Sequence, residues 1–209
     1  MKFYDCRTAP SPRRVRWFMA EKGLEIPVVE IDLGAGEQLS PEFKAINPRC
    51  TVPVLELDDG TCLNEGMAIC HYLEAKFPEP NLMGSDAREQ ALVMNWHEQI
   101  MMEGFLAGAE ALRNFSRGFA DRAVTGPENF EQIPALAERG RKRLEVFMAL
   151  LDERLAVSPC VAIDRFTMAD IDAYVCVDFA GWVKIPVLGT RPNIRNWYER
   201  ISERPASQV

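Results

Sequence analysis

Two short segments of this chain carry residue types that could bind a small peptide. In the first, Thr51-Val52-Pro53-Val54-Leu55, a proline opens an apolar run. Because proline cannot donate to a sheet ladder, it belongs at the start or edge of a strand, which leaves the Val52 backbone available to a ligand. In the second, Glu65-Gly66 precedes a predicted helix, whose N-terminus would offer amides and positive charge to an anion. Together they suit a small peptide that carries a carboxylate.

The first 77 residues alternate between strand and helix patterns, and these elements must position both segments. Strands are predicted over residues 2–6, 26–33, 52–57 and 61–63, and helices over 13–24 and 65–77, with a short helix that begins at Pro41 between them. Pro10-Ser11-Pro12 is expected to interrupt the first strand ahead of the helix at Arg13, and Ser40 is expected to cap the second helix. The order β-α-β-α-β-β-α predicts a small mixed sheet with helices on both faces.

Strand signals disappear after a linker at residues 78–81. The remaining patterns predict helices near residues 86–118, 128–156, 168–182 and 193–202. Thr167-Met168-Ala169-Asp170 is typical of a capping box at the start of the third of these helices. The sequence therefore predicts two domains, an α/β domain over residues 1–78 and an all-helical domain over residues 86–209.

Composition excludes several classes of partner. The chain has 209 residues and a net charge of -7, whereas nucleic-acid binding normally requires a basic excess. No apolar stretch approaches the roughly 18–20 residues that span a bilayer, and the first residues lack a signal peptide's apolar region, so we expect a cytoplasmic protein without membrane contact. The six cysteines show no C-x-x-C and no metal spacing with the two histidines, so buried thiols and no metal site are expected.

Five segments carry a resemblance to a known family, in an order and spacing that are specific as a set. They are residues 14–24, 40–48, 52–55, 63–73 and 166–171. The chain resembles the cytosolic glutathione S-transferase family, most of all its bacterial members, along essentially its whole length. The resemblance implies a thioredoxin-like N-terminal domain, an all-α C-terminal domain, and a homodimer that uses glutathione as co-substrate.

The resemblance also implies which residues hold glutathione. The Val52 backbone would pair with the cysteinyl unit as an added strand would, and Pro53 would match the family's cis-proline. Gln38 matches a polar loop residue that contacts the glycyl end. Thr51 stands where lysine or glutamine is often found.

The γ-glutamyl end of glutathione would meet Glu65 and Gly66. By resemblance, Glu65 would contact the amino group. The next position is usually Ser or Thr, whose hydroxyl and backbone amide hold the γ-glutamyl carboxylate; here Gly66 keeps the amide and lacks the hydroxyl. A missing charge-assisted hydrogen bond costs about 1.5–3 kcal/mol, so weak glutathione binding is expected, and Gly66→Ser is expected to strengthen it.

The donor to the glutathione sulfur is the second departure from the family. Ser-type members place a hydroxyl at the position of Ala9, and alanine cannot donate. Ser11 is the first choice as catalytic residue, Thr8 the second, and backbone amides of the loop the third. Ser11, between two prolines, is also typical of an ordinary turn residue.

The chemistry expected of such a site is stabilisation of a thiolate. A free thiol has a pKa of roughly 8.5, so a donor, a helix N-terminus and Arg13 or Arg14 could favour the anion. Arg13, Arg14 and Arg16 are equally typical of a solvated helix face. The thiolate would then attack an electrophilic small molecule or a disulfide.

Two function classes follow from these observations. The first is an enzyme that conjugates glutathione or uses it to reduce disulfides or peroxides, and Val52-Pro53, Glu65 and Gln38 favour it. The second is a binding or regulatory protein of the same fold with weak or no catalysis, which Gly66 and Ala9 favour.

Overall fold

A four-stranded sheet in the order β2-β1-β3-β4 organises the N-terminal part of the chain. The computed structural model describes residues 1–209. The strands are β1 (Lys2–Asp5), β2 (Val28–Glu30), β3 (Val54–Glu56) and β4 (Cys62–Leu63). Strand β1 runs parallel to β2 and antiparallel to β3, and β3 pairs antiparallel with β4. This mixed sheet confirms the predicted thioredoxin-like arrangement.

Three helices accompany the sheet, in the predicted order. They are α1 (Pro10–Glu21), α2 (Pro41–Ile46) and α3 (Gly66–Lys76), with a 3-10 turn over Glu37–Leu39 before α2. Ser40 Oγ accepts a hydrogen bond from the Phe43 amide at 3.1 Å, which confirms the predicted cap of α2.

All four strands are shorter than predicted, and prolines explain the late starts of two of them. Pro27 and Pro53 have no N–H, so the ladders of β2 and β3 begin at Val28 and Val54 rather than at residues 26 and 52. Val52 therefore lies outside the sheet.

Helix α1 begins earlier than predicted. The predicted start at Arg13 is wrong, because Pro10, Ser11 and Pro12 form the first turn of the helix. Amides of the first turn have no acceptor within the helix, so prolines lacking an N–H are tolerated there.

Apolar side chains fill both faces of the sheet, since neighbouring strand residues point to opposite faces. Tyr4 and Val54 pack on one face with Ile31 of the following loop and Phe43 of α2. Phe3 and Leu55, register partners of β1 and β3, are fully buried with side chains of α1 and α3, namely Val15, Phe18, Ile69 and Leu73.

The rest of the chain is helical. A continuous helical stretch comprises α4 (Ala87–Gln99), a π-helical segment (Ile100–Phe105) and α5 (Leu106–Phe115). It is followed by α6 (Pro134–Ala156), α7 (Met168–Trp182), α8 (Val187–Thr190) and α9 (Pro192–Ser202). Helix α6 begins later than the predicted residue 128, because Pro134 occupies its first turn, and α8 was not predicted. No helix is both long and apolar enough to cross a membrane.

Internal contacts divide the chain into two units. The N-terminal unit comprises residues 1–80, 125–129 and Val209, and the helical unit comprises residues 81–124 and 130–208. The domain limits expected from the sequence, residues 1–78 and 86–209, stay a prediction. All six cysteines are free thiols, five of them buried, and Cys62 is half-buried.

Candidate active site

Val52 presents a free backbone edge just before β3. The Val52–Pro53 peptide bond is cis, as the family resemblance implies. Neither the N–H nor the C=O of Val52 hydrogen-bonds to another group of the chain, because the ladder starts at Val54. A peptide lying along this residue could therefore pair with it as an added strand does.

Asn47 positions this edge, and sequence reasoning assigned it no role. Its Nδ2 donates to Thr51 O at 2.8 Å and to Thr51 Oγ1 at 3.0 Å, and its Oδ1 accepts from Asn64 Nδ2 at 3.0 Å. Asn47 is fully buried, so its amide must be satisfied within the protein. It thus links the residue before Val52 to the residue before Glu65. Its place at the C-terminal cap of α2, directly before a proline, is the signal that could have identified it.

Helix α3 begins without a side-chain cap. Glu65 occupies the N-cap position and accepts no bond from the first-turn amides. Its carboxylate is two-thirds exposed and forms an ion pair with Arg49, with 3.8 Å between Arg49 Nη2 and Glu65 Oε1. Glu65 therefore leaves the amides that begin with Gly66 available to an anion.

Gln38 lies in the 3-10 turn that follows the glycine-rich loop. Gly36, at the cap of this turn, has a φ of 77°, a conformation that glycine adopts readily. The Gln38 Oε1 atom is buried and accepts no hydrogen bond. Such an oxygen favours a ligand that brings an N–H group.

The connection between β1 and α1 contains the two candidate hydroxyl donors. Ser11 is the second residue of α1 and half-buried, and its Oγ has no hydrogen-bond partner in the chain. Thr8 is exposed, and its Oγ1 lies 3.5 Å from Cys6 Sγ. Ala9 occupies the N-cap position and offers no side-chain acceptor to the first turn.

Few backbone amides in this connection can serve an anion. Pro10 and Pro12 have no N–H, and the Ala9 N–H donates to Cys6 O at 2.9 Å. The N–H of Ser11 is therefore the one donor of the first turn of α1. An anion there would be met by the N–H and the hydroxyl of the same residue.

A buried ion pair holds the start of this connection in place. Arg16 Nη1 lies 2.6 Å from Asp5 Oδ1, and the same guanidinium donates to Cys6 O at 3.4 Å and to Arg7 O at 3.0 Å. Burial raises the pKa of Asp5, and the charge of Arg16 opposes that rise. The solvated-face interpretation is thus wrong for Arg16, and for Arg14, which is only 3% exposed.

In the helical unit, Asp170 serves the start of α7. The fully buried carboxylate accepts hydrogen bonds from Val161 N at 3.0 Å, Thr167 N at 3.0 Å and Trp197 Nε1 at 3.1 Å. Burial raises the pKa of Asp170 to about 6, while these donors act to lower it. The predicted capping box of Thr167 and Asp170 is confirmed.

The histidines do not form a metal centre. His97 lies in a buried pair with Asp172, with 2.7 Å between Nδ1 and Oδ2. No group of three or more histidine, cysteine, aspartate or glutamate side chains is placed to hold a metal ion.

Comparisons with known proteins agree with this geometry. The family model of the glutathione S-transferase N-terminal domain matches residues 8–76, and that of the C-terminal domain matches residues 97–205. Glutathione S-transferase 2 of Saccharomyces cerevisiae is 34% identical over 99% of this chain and 87% of its own length. Disulfide-bond oxidoreductase YfcG of Escherichia coli is 27% identical over 97% of this chain and 92% of its own length.

A solved structure extends the match to three dimensions. The crystal structure of a class Gtt2 glutathione S-transferase from Vibrio parahaemolyticus superposes with a TM-score of 0.85 and 36% identity, covering 100% of this chain and 96% of that chain. The fold, the cis-proline segment and the matches to both domain models converge on one conclusion. This chain belongs to the glutathione S-transferase family.

Proposed function

We infer that this protein is a glutathione transferase with glutathione as its co-substrate. The observation that supports this inference is the backbone of Val52, the residue before the cis Pro53. Its N–H and C=O make no hydrogen bond within the chain. A tripeptide is a ligand that such an edge would hold through main-chain hydrogen bonds.

We propose the following contacts for the cysteinyl and glycyl units. The cysteinyl unit pairs with the N–H and C=O of Val52, and Pro53 fixes the direction of that edge. The glycyl amide donates to the buried Oε1 of Gln38. Thr51 contributes as a donor, through its backbone N–H or its hydroxyl hydrogen, because Asn47 Nδ2 already donates to both its carbonyl oxygen and its Oγ1.

The γ-glutamyl unit is proposed to lie at the start of α3. Its carboxylate accepts from the Gly66 amide, where the helix dipole adds attraction. Its ammonium group pairs with Glu65, whose carboxylate is exposed and only loosely paired with Arg49. The two charges of one α-amino acid are thus met by two successive residues.

Ser11 is proposed as the catalytic donor. Its hydroxyl and N–H, at the first turn of α1, donate to the glutathione sulfur and stabilise the thiolate. In conjugation, the sulfur forms a bond to an electrophilic carbon while the leaving group departs with its electron pair. In disulfide exchange, the sulfur attacks one sulfur atom and the other leaves as a thiolate.

The alternative of a binding or regulatory protein is not favoured, since the full-length relative is named a transferase. Conjugation and disulfide exchange both remain proposals, and the relative named a disulfide-bond oxidoreductase supports testing the second.

The experiment combines binding of S-methylglutathione, by calorimetry, with turnover of 1-chloro-2,4-dinitrobenzene and of hydroxyethyl disulfide. Binding with turnover of either substrate supports the proposal, whereas binding with neither favours the non-catalytic alternative.

We further propose a cytoplasmic homodimer with a detoxifying role. Apolar side chains on the continuous stretch from α4 to α5 are exposed in the single chain, among them Met94 (37%), Met102 (51%) and Leu106 (50%). Burying them would be favourable. Light scattering should give twice the chain mass of 23.6 kDa, and a mass near the single-chain value contradicts the dimer.

A further inference from the structure

We propose that the guanidinium of Arg14 binds the γ-glutamyl carboxylate of glutathione, in place of the hydroxyl that Gly66 lacks. The inference rests on the proposed function, because it adds a binding residue for the same ligand. It also explains how this chain can keep a carboxylate subsite after losing a side-chain donor.

Geometry supports the substitution of one donor by another. A Cβ atom built on Gly66 would lie 3.4 Å from Arg14 Nη2 and 3.6 Å from Val15 Cγ2, with no atom closer. The glycine therefore leaves a small notch at the first residue of α3, and the guanidinium borders that notch. A carboxylate oxygen in the notch comes within hydrogen-bonding reach of Nη2.

Charge supports it as well. Arg14 is 3% exposed, so water screens its positive charge only weakly. Arginine stays protonated under all ordinary conditions and pairs with carboxylates through charge-assisted hydrogen bonds. The guanidinium borders the first residue of α3, where the helix dipole is also positive. An anion at this position is thus attracted by both the guanidinium and the amide.

Filling the notch tests the idea without altering Arg14. Gly66→Ala adds a methyl group at ordinary contact distance and no donor, whereas Gly66→Ser adds the same Cβ atom together with a hydroxyl donor. Binding is measured by calorimetry with S-methylglutathione and with γ-aminobutyryl-S-methylcysteinylglycine, which lacks only the α-carboxylate. We expect Gly66→Ala to weaken S-methylglutathione binding about ten- to hundredfold and to leave the analogue unchanged. Gly66→Ser should stay within a few-fold of the wild type.

Changing Arg14 tests the same contact from the other side. Arg14→Met should weaken S-methylglutathione binding about ten- to hundredfold, and adding Gly66→Ser should restore most of it. The gain that the sequence predicts for Gly66→Ser is therefore expected mainly when Arg14 is absent. Arg14→Lys, which keeps the charge, serves if Arg14→Met does not fold. Arg195→Met, an exposed residue of α9, controls for the loss of one positive charge.

Three results overturn the proposal. In the first, Gly66→Ala and Arg14→Met bind S-methylglutathione as tightly as the wild type. In the second, the variants lose as much affinity for the carboxylate-free analogue as for S-methylglutathione, which assigns Arg14 a structural role. In the third, wild-type protein binds no S-methylglutathione, which removes the proposed function and this inference with it. The first two leave the proposed function standing.

Discussion

Three helices of the helical unit, α4, α7 and α9, begin on side-chain acceptors from the chain itself, whereas α1 and α3 of the N-terminal unit do not. Asp86 accepts from the Glu89 amide at 2.8 Å at the start of α4. Asp152 accepts from Asn193 and Ile194 at 3.0 and 2.9 Å at the start of α9. In contrast, the N-cap residues of α1 and α3, Ala9 and Glu65, accept no side-chain hydrogen bond from the first turn.

The contrast distinguishes helix starts whose first-turn amides have an acceptor within the chain from starts whose amides stay available to a ligand. A buried amide without an acceptor is costly, so most helices recruit one. Helix α2, also in the N-terminal unit, follows this rule through Ser40. Helices α6 and α8 of the helical unit also begin without a side-chain cap, so an uncapped start alone does not mark a ligand site. What sets α1 and α3 apart is that their first turns contain the residues proposed to hold the sulfur and the γ-glutamyl carboxylate.

Removing the acceptor at α7 should produce the largest effect on stability. Asp170→Ala leaves the buried donors of Val161 and Trp197 without an acceptor, so we expect the free energy of unfolding to fall by about 3–5 kcal/mol. Urea denaturation followed by circular dichroism measures it. A loss below about 1 kcal/mol contradicts the view that α7 begins on an essential acceptor.

Removing the donor at α1 should affect rate rather than stability. Ser11→Ala is expected to lower kcat by about 10²–10³ and to shift the pH–rate profile to higher pH, with little change in glutathione affinity. Thr8→Ala is the matched control. If Ser11→Ala keeps full activity and Thr8→Ala loses it, Thr8 is the donor. If neither variant loses activity, backbone N–H groups hold the sulfur.

The free energy of unfolding should depend on pH through Asp170, the buried acceptor at the start of α7. The pKa of Asp170, about 6 in the folded protein against an ordinary 3.8, means that the unfolded chain loses this proton first. The Asp170 contribution to the free energy of unfolding is therefore full below pH 4 and falls by about 3 kcal/mol as the pH rises through 6. Urea unfolding between pH 4 and 7 should show this slope in the wild type and not in Asp170→Asn. A carboxyl ¹³C titration of Asp170 with its midpoint below 4 contradicts it.

The start of α3 should give the smallest of the four effects, confined to binding. Glu65→Ala is expected to weaken glutathione binding about tenfold, because one exposed ion pair with the ligand ammonium is lost, and to leave stability unchanged. Calorimetry and urea denaturation measure the two quantities. Thr51→Ala is the comparison, and a larger loss of affinity there than in Glu65→Ala overturns the assignment.

Local signals in the sequence determined the order of elements and several of their ends. The strand and helix periodicities predicted the mixed sheet and the helical unit, and Ser40 and the Thr167–Asp170 box predicted two helix starts that the structure confirms. Pro53 likewise indicated where the backbone of Val52 is left out of the ladder. These features depend on residues close in sequence, whose own dihedral angles and hydrogen bonds decide the outcome.

Tertiary packing decided the surroundings of each candidate residue. Pro10 and Pro12, which the sequence pattern placed before α1, form its first turn. Arg14, which the pattern placed on a solvated helix face, lies buried beside Gly66. Asn47 joins the residues before Val52 and before Glu65 through hydrogen bonds that no local pattern shows. The physical reason is that burial, and the partner of a buried polar group, depend on which helices and loops meet in space. Arg14 and Gly66 are far apart in the sequence, and only the folded chain places the guanidinium beside the start of α3.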